Sequence, residues 1–556
     1  MRVTFLGHAG LYIETAGGSI LCDPWFNPAY FASWFPFPSN EDLDPTLFAT
    51  PDYLYVSHLH QDHFDPTFLA QWVSRATTVL MPEFPLNELR DDLSRLGFNR
   101  FEPLPHGVAV DLDGLRVMAA IATGPSDGPF GDSALAVDDG TARLLDQNDA
   151  RPRDLGAIAR FGPYDAHFLQ FSGAIWYPVV YEMPPEAKAE AGRQKRERGM
   201  DRAALFAGQI DARWLFPCAG PPCFLDDSLF GYNDLGGTEG GGEGRGEGRG
   251  DAANPFPDQL VFLDFLRRRG VNNARLVVPG TVVTLKDGHC EVEHPAVAGE
   301  DGRAVFANKR SYLEAYQARR RPALEAAHAS WPAPGEVDVL AELQQWWDPI
   351  LAEGGWLCDL VGAPVLLATG EAEVVIDFPA RRVRAPEVGE RCPYRYRIEQ
   401  GLVETCIRHR TADWVNSLFL SMRFTAARDG GYNEHIYTFF KCLSPERLRY
   451  AESWSAAPEA PVVAPGETLQ VVRGHAGGLE AGRGAAATDE WCLLDGWRVQ
   501  GRCPHLQGDL ARFGSVEGEV LTCKLHGYRF DLPSRRCLTT GEDNAIRAER
   551  LPVADD

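Results

Sequence analysis

Ser57-His58-Leu59-His60-Gln61-Asp62-His63 follows the apolar run of residues 53–56 and precedes Asp65-Pro66. Alternation along an extended segment puts His58 and His60 on one side, so both imidazoles can reach one metal ion. The chain then turns and offers Asp62 and His63 to a neighbouring position. A histidine-rich loop at the end of a buried strand is where a rigid scaffold carries a binding site. Surface histidines without a ligand fit poorly behind so apolar a run. Asp65 can cap a helix and Pro66 suits its first position, so a helix opens there with Phe68, Leu69, Trp72 and Val73 on one face.

Short strand-like runs at residues 3–6, 11–14 and 20–22 come before this loop. Strands punctuated by single helices continue after it to about residue 290, an α/β pattern. The spacing H-x-H-x-D-H, with Gly7-His8-Ala9 and Asp23-Pro24-Trp25 after earlier strands, resembles the metallo-β-lactamase superfamily. That resemblance implies a four-layer αββα domain over residues 1–300, with the Gly-rich stretch 236–250 as a mobile surface loop. It also implies that His58, His60, Asp62 and His63 bind the catalytic metal and that Asp146 is the bridging carboxylate. His8 and Asp23 are expected to support the loop rather than ligate. Two further histidines usual in paired-zinc hydrolases are missing from residues 121–132 and 278–281, where Asp127 is the nearest substitute. Histidines plus carboxylate with open positions suit a non-haem iron that binds O2, with zinc as the alternative metal. Asp62 can instead orient a histidine from behind.

Near the other end, Cys503-Pro-His505 and Cys523-Lys-Leu-His526 form two boxes separated by 17 residues. Two thiolates and two imidazoles are what a Rieske [2Fe–2S] cluster needs. Zinc competes for any Cys2His2 set, but Pro504, Gly527 and the Phe530-Asp531 pair resemble Rieske ferredoxins and ring-hydroxylating oxygenases. No cysteine stands beside either box at the positions that form a disulfide in respiratory Rieske proteins. Cys537 lies too far along to serve. Such a cluster is a one-electron carrier, suited to feeding an oxygen-activating metal.

With 54 Lys+Arg against 78 Asp+Glu, the formal charge of −24 repels nucleic acid. A local arginine cluster could still hold an anionic small substrate. No secretory signal or membrane-length apolar run is present, and the 12 cysteines are spread over 556 residues. A cytoplasmic enzyme with reduced or metal-bound thiols is expected. Residues 339–354 read as an amphipathic helix. Strands are expected at 365–367, 373–376, 394–399, 418–424 and 435–440, giving an α+β domain over 305–460. A Pro/Ala/Gly linker at 456–466 then leads to a small all-β Rieske domain over 467–556. The basic run 193–202 reads as a solvated helix face, His409 and His435 as structural, and Cys218 and Cys223 as lacking partners for a zinc site.

The pairing of the two metal domains resembles the CMP-N-acetylneuraminate hydroxylase family. Beyond the metal motifs, the likeness rests on Phe171-Ser172-Gly173, Phe216-Pro-Cys-Ala219-Gly220, Pro279-Gly280-Thr281 and, more loosely, residues 414–440. In that family the Rieske domain comes first; here it comes last. The resemblance implies a hydroxylase or monooxygenase that inserts oxygen into a small polar metabolite of sugar- or nucleotide-like character. O2 and an electron donor (a ferredoxin, a cytochrome b5-like protein or a flavin reductase) would be its partners, in a monomer or homo-oligomer. The alternative expectation is a metal-dependent hydrolase regulated by its Rieske domain. A non-catalytic electron carrier is the third.

Overall fold

The computed structural model describes residues 1–124, 128–153, 155–173, 175–233, 254–370, 372–455, 491–505, 508–543 and 545–551. The expected loop at 236–250, the linker at 456–466 and Asp127 lie outside the described residues. The chain divides into two compact units, Met1–Asp429 with His435–Arg449, and Gly430–Glu434 with Tyr450–Asp556.

In the first unit, strands with strict two-residue alternation build two sheets. One runs His289–Glu293, Val282–Lys286, Arg2–Gly7, Gly10–Thr15, Gly18–Cys22, Tyr53–Tyr55, Thr78–Pro82 and Phe101–Leu104. Its later half, from Gly18–Cys22 onward, is parallel. The other runs Trp214–Cys218, Ala166–Gln170, Arg143–Asn148, Asp132–Asp138, Leu115–Ala122 and Ala109–Leu112. Ile20, Cys22, Tyr55 and Leu80 point inward to meet Leu135, Leu144, Phe168 and Phe216 of the facing sheet. Their neighbours Leu21, Leu54, Val56, Val79 and Met81 point outward and are covered by the helices Pro66–Trp72 and Glu88–Arg95. Helices Pro185–Ile210 and Gln259–Arg268 pack on the outer face of the second sheet. The layer order is therefore αββα, as the superfamily resemblance implies. Asp65 caps the first helix by accepting from Phe68 N, and Pro66 opens it. Phe68, Leu69 and Val73 are buried, but Trp72 is left 41% exposed.

Residues beyond 300 add a five-stranded sheet in the order Arg382–Arg384, Glu373–Asp377, Val365–Ala368, Tyr394–Ile398, Phe424–Arg428. The helix Val339–Glu353 lies against it and buries Leu343, Trp347, Ile350 and Leu351. Two expected strands are helical instead. Residues 434–441 form the helix Glu434–Lys441, with Ile436, Tyr437, Phe439 and Phe440 buried. Their i, i+3, i+4 spacing is a helical stripe that aromatic and β-branched composition disguises. Residues 415–419 form one wide turn in which Phe419 N donates to Trp414 O, and the strand starts only at Phe424. Packing among Trp347, Trp414, Tyr396, Phe419, Phe439 and Phe440 holds both in place.

Charged side chains tie this segment to the αββα core. Arg423 donates to Phe31 O, to Ser33 Oγ and to Asp226 Oδ2 at 2.9 Å. Arg447 joins Asp413 (2.7 Å) and Glu88.

The second unit is built of short strands. Trp491–Leu494, Trp497–Gln500 and Ala548–Arg550 form one sheet, and Gly514–Glu517, Val520–Cys523, Tyr528–Asp531 and Arg536–Cys537 form another. Among the described residues no helix is long and apolar enough to cross a membrane.

The Arg423–Asp226 contact has a pH signature. Burial acts to raise the Asp226 pKa, but the Ser228 hydroxyl and the Arg423 guanidinium outweigh it and bring it down to about 2. A depressed folded-state value stabilises the fold above the unfolded carboxylate pKa of about 4 and is lost as pH falls toward 2. Asp226→Asn is expected to cost about 2 kcal/mol at pH 7, the scale of a hydrogen bond to a charged group. That deficit relative to wild type should shrink between pH 4 and pH 2, as followed by denaturant unfolding at several pH values.

Candidate metal centres

The loop after Tyr53–Tyr55 is held from below by Asp23, which sits just past the strand Gly18–Cys22. Its carboxylate accepts from Ser57 N (2.7 Å), Ser57 Oγ (2.6 Å) and His63 Nδ1 (2.8 Å). Asp23 and His8 both have positive φ, 41° and 53°. Non-glycine residues adopt that region at a cost, and such positions gather at functional sites.

With its Nδ1–H given to Asp23, His63 keeps Nε2 for a metal. That Nε2 is buried without a hydrogen-bond partner, 3.6 Å from Asp149 Oδ1 and 3.9 Å from Asp62 Oδ2. His8 Nε2 lies 2.9 Å from Asp62 Oδ2, while Tyr30 donates to the other Asp62 oxygen at 2.6 Å. His8, Asp62 and His63 thus form one group of potential ligands, all buried.

A second group is His58, His60 and Asp149. His58 Nε2 and His60 Nδ1 face each other at 2.7 Å. Asn416 fixes the His60 tautomer. Its amide nitrogen donates to Gly128 O (3.1 Å) and Asp413 Oδ2 (2.8 Å), so its oxygen accepts from His60 Nε2 at 2.8 Å. The His60 Nδ1 lone pair is then turned toward His58. Asp149, whose Oδ1 is buried and unpaired, belongs to this group and also lies beside His63.

The charges within the loop suit a cation. Burial drives the His58 pKa well below the ordinary imidazole value, helped by His63 and His60, and burial lowers His60 as well. Burial acts to lower His63 too, but Asp149, Asp23 and Asp62 outweigh it and hold it well above the usual value. Burial would raise Asp62 and Asp149, yet His63 above all keeps both below the usual carboxylate range. Orphaned nitrogens and carboxylate oxygens around one point are the donor set of a divalent metal.

The expected ligands His58, His60, Asp62 and His63 are therefore brought together, in two groups rather than one. Asp146 is not among them. It lies within the strand Arg143–Asn148, fully buried, and both its oxygens lack hydrogen-bond partners. Burial, aided by Asp23, pushes its carboxyl well above the usual range. Asp149 stands three residues later, past the strand end, where a loop-borne ligand belongs. Asp23 supports the loop as expected. His8 does more than support it, because it completes the group of Asp62 and His63 that lacked a third member in the sequence. Asn416 carried no signal beyond its place in an aromatic-rich run. Its wide turn is of a type frequent at functional sites.

In the second unit, Cys503, Cys523 and His526 form a further group, with Cys523 Sγ 3.9 Å from His526 Nδ1. A hydrogen bond with Cys503 lowers the Cys523 pKa. The His505 ring lies 5.3 Å from that of His526, edge to face, and its Nδ1 is buried without a partner. Its Nε2 donates to Glu434, which also accepts from the Tyr528 hydroxyl. Tyr528 stacks on the same imidazole. The loop crosses itself where Cys503 N donates to Gly508 O, and a side chain at Gly508 would press on Cys523 Sγ, His526 and Leu525. Gly527 has a φ of 79°, which explains a glycine directly after His526. Two buried thiols, and a His505 whose outer nitrogen is tied back while its inner one is unpaired, fit a [2Fe–2S] cluster.

Family models agree with this layout. A Beta-lactamase superfamily domain matches residues 2–128, an Rv3818-like, SCP2-like domain matches 339–457, and a Rieske [2Fe-2S] domain matches 495–548. The N-terminal fold is thus of the metallo-β-lactamase type and the C-terminal one is a small all-β Rieske domain, while the middle region, expected only as an α+β domain, matches an SCP2-like one. Among solved structures, the diiron β-hydroxylase CmlA of Streptomyces venezuelae is 16% identical, covers 51% of this chain and 54% of its own, and has a TM-score of 0.31. The metallo hydrolase Igni18 of Ignicoccus hospitalis is 18% identical over 51% of this chain and 98% of its own, at 0.32. Neither likeness decides a reaction. A Mycobacterium tuberculosis protein provisionally named Rieske 2Fe-2S iron-sulfur protein Rv3818 is 45% identical over 99% of this chain and 100% of its own length. The chain belongs to the family of that Rieske iron–sulfur protein, in which a metallo-β-lactamase-like domain, an SCP2-like domain and a Rieske domain share one polypeptide.

Proposed function

We propose that this protein is a Rieske-coupled non-haem iron oxygenase, which hydroxylates a small polar metabolite of sugar- or nucleotide-like character. The observation that carries the reading is the presence, in one chain, of a Cys2His2 cluster site and a histidine–carboxylate metal site. A one-electron carrier is of little use to a hydrolase, whereas O2 activation requires electrons one at a time. For each turnover one oxygen atom enters a C–H bond and the other leaves as water, consuming two electrons and two protons from an external donor. Iron held by His58, His60 and Asp149, and by His8, Asp62 and His63, would supply the binding and reduction of O2.

The chain's own groups do the rest. Asp23 and Asn416 fix the ring orientation and tautomer of His63 and His60, and Tyr30 steers one Asp62 oxygen away from the metal. His8, Asp62, His63 and His58 are almost wholly buried, which keeps bulk water from reactive species. At the cluster, Glu434 holds the outer nitrogen of His505 and places negative charge beside it.

The same paired donor groups also admit a second reading. His8 completes a second ligand group, so two metals could sit side by side, as in a hydrolase whose Rieske domain serves regulation. Metal identity separates the two. Purified protein is expected to contain iron and acid-labile sulfide, with iron in excess of the cluster's two atoms. His58→Ala should lose that excess iron while keeping the sulfide and the EPR signal of the reduced cluster. Zinc in place of the excess iron would select the hydrolase. Removing the carboxylate charge beside the cluster makes reduction easier. Glu434→Gln is therefore expected to raise the cluster potential by about 60 mV, a tenfold change for one electron, as read by spectroelectrochemical titration.

A further inference from the structure

The helix Pro185–Ile210 carries the basic run 193–202, and the structure corrects its reading as a solvated face. Arg193, Gln194, Glu197 and Arg198 are exposed, but Lys195 and Arg202 turn inward with Gly199, Met200, Ala203 and Phe206, following helical periodicity. Opposite them, Arg151 follows Asp149 by two residues, and Gly173 lies just past the strand Ala166–Gln170.

The guanidinium groups converge. A methyl group placed on Gly173 would lie 3.3 Å from Arg151 Nη2 and 3.9 Å from Arg202 Nη2. Arg151 Nη2 reaches Gln170 Oε1 at only 3.5 Å, and its Nε is buried with no hydrogen-bond partner. Lys195 Nζ and the Arg428 guanidinium flank the Tyr177 ring at 5.9 and 5.4 Å from its centre. Burial and then Arg202, Arg198, Arg151 and Arg428 bring the Lys195 pKa down to about 8. Burial and Arg151 hold Arg202 well below its ordinary value, opposed by Asp149 of the metal site. A chain of charge −24 has gathered half-buried cations beside the strand ends that carry its metal loops. Strand ends of this kind are where α/β folds bind ligands.

We propose that Arg151 and Arg202, converging on the bare backbone of Gly173, form with Lys195 of the same helix as Arg202 an anion subsite that binds a phosphoryl group of the substrate. Forked guanidinium donors match its oxygens, and its charge of nearly −2 offsets more of the cluster than a single carboxylate does. Asp149 joins this subsite to the metal centre, so the assignment as a substrate subsite rests on the function proposed above. The anion binding itself does not.

Inorganic phosphate is the probe, titrated calorimetrically against the metal-loaded full chain, with acetate as the carboxylate arm. Phosphate should bind more tightly than acetate. Arg202→Gln, Lys195→Gln and Gly173→Ala should each weaken phosphate by roughly tenfold or more, with iron and sulfide contents unchanged. Arg193→Gln, on the outer face of the same helix, should leave binding as it was. Gly173→Ala and Lys195→Gln keep the test decisive if Arg202→Gln fails to fold. Equal losses from Arg193→Gln and Lys195→Gln would reduce the effect to diffuse charge and overturn the subsite. So would acetate binding as tightly as phosphate, or no phosphate binding at all. Zinc at the metal site would overturn the oxygenase while leaving this titration intact, and lost phosphate binding in an iron-loaded protein would do the reverse.

Discussion

Everything at the metal loop depends on the carboxylate of Asp23. One buried anion collects a backbone N–H, a hydroxyl and an imidazole N–H, so Ser57 and His63 are fixed to the end of a neighbouring strand. An unpaired carboxylate at this depth would be costly, and three donors offset that cost while freezing the loop. His63 is left with a single nitrogen for a metal, and His58 is aligned through Ser57. Asp23 itself holds a strained backbone conformation, which persists only because the surrounding strands and loop over-determine it.

The segment after residue 300 is part of the metal site's architecture. Lys441 and Asn416 both donate to Gly128 O, and Arg447 reaches Glu88 near the start of a core helix. An amide from a region with no catalytic motif thereby sets the tautomer of a histidine in the strongest motif of the chain. Long-range positioning of this kind explains why the αββα core alone leaves His60 without a partner for its outer nitrogen.

Most of the fold was legible because its strands obey a two-residue alternation, Leu21 outward between Ile20 and Cys22 inward, and because Asp65-Pro66 carries cap chemistry. The potential donors gathered at both sites were legible where their spacing is local. What the sequence hid was nonlocal. His8 lies about fifty residues before the group it completes, and Asn416 lies 356 residues from the imidazole it orients. Asp146 matches the superfamily's bridging carboxylate in sequence but lies inside the strand, outside the gathered donor groups, while Asp149, past the strand end, joins one of them. Helix Glu434–Lys441 was obscured by residues that favour strands when burial is unknown. The run 193–202 was misjudged because a charge-rich helix gives no hint of which charges turn inward.

The chain gives residues 430–434 to the same compact unit as the cluster boxes, then resumes the other unit at His435. The cluster module is therefore discontinuous. A C-terminal fragment cut out for grafting onto another enzyme would leave behind the acid that grips His505, together with the segment that carries it. Transplants that ignore that segment lose the carboxylate that holds the outer nitrogen of His505.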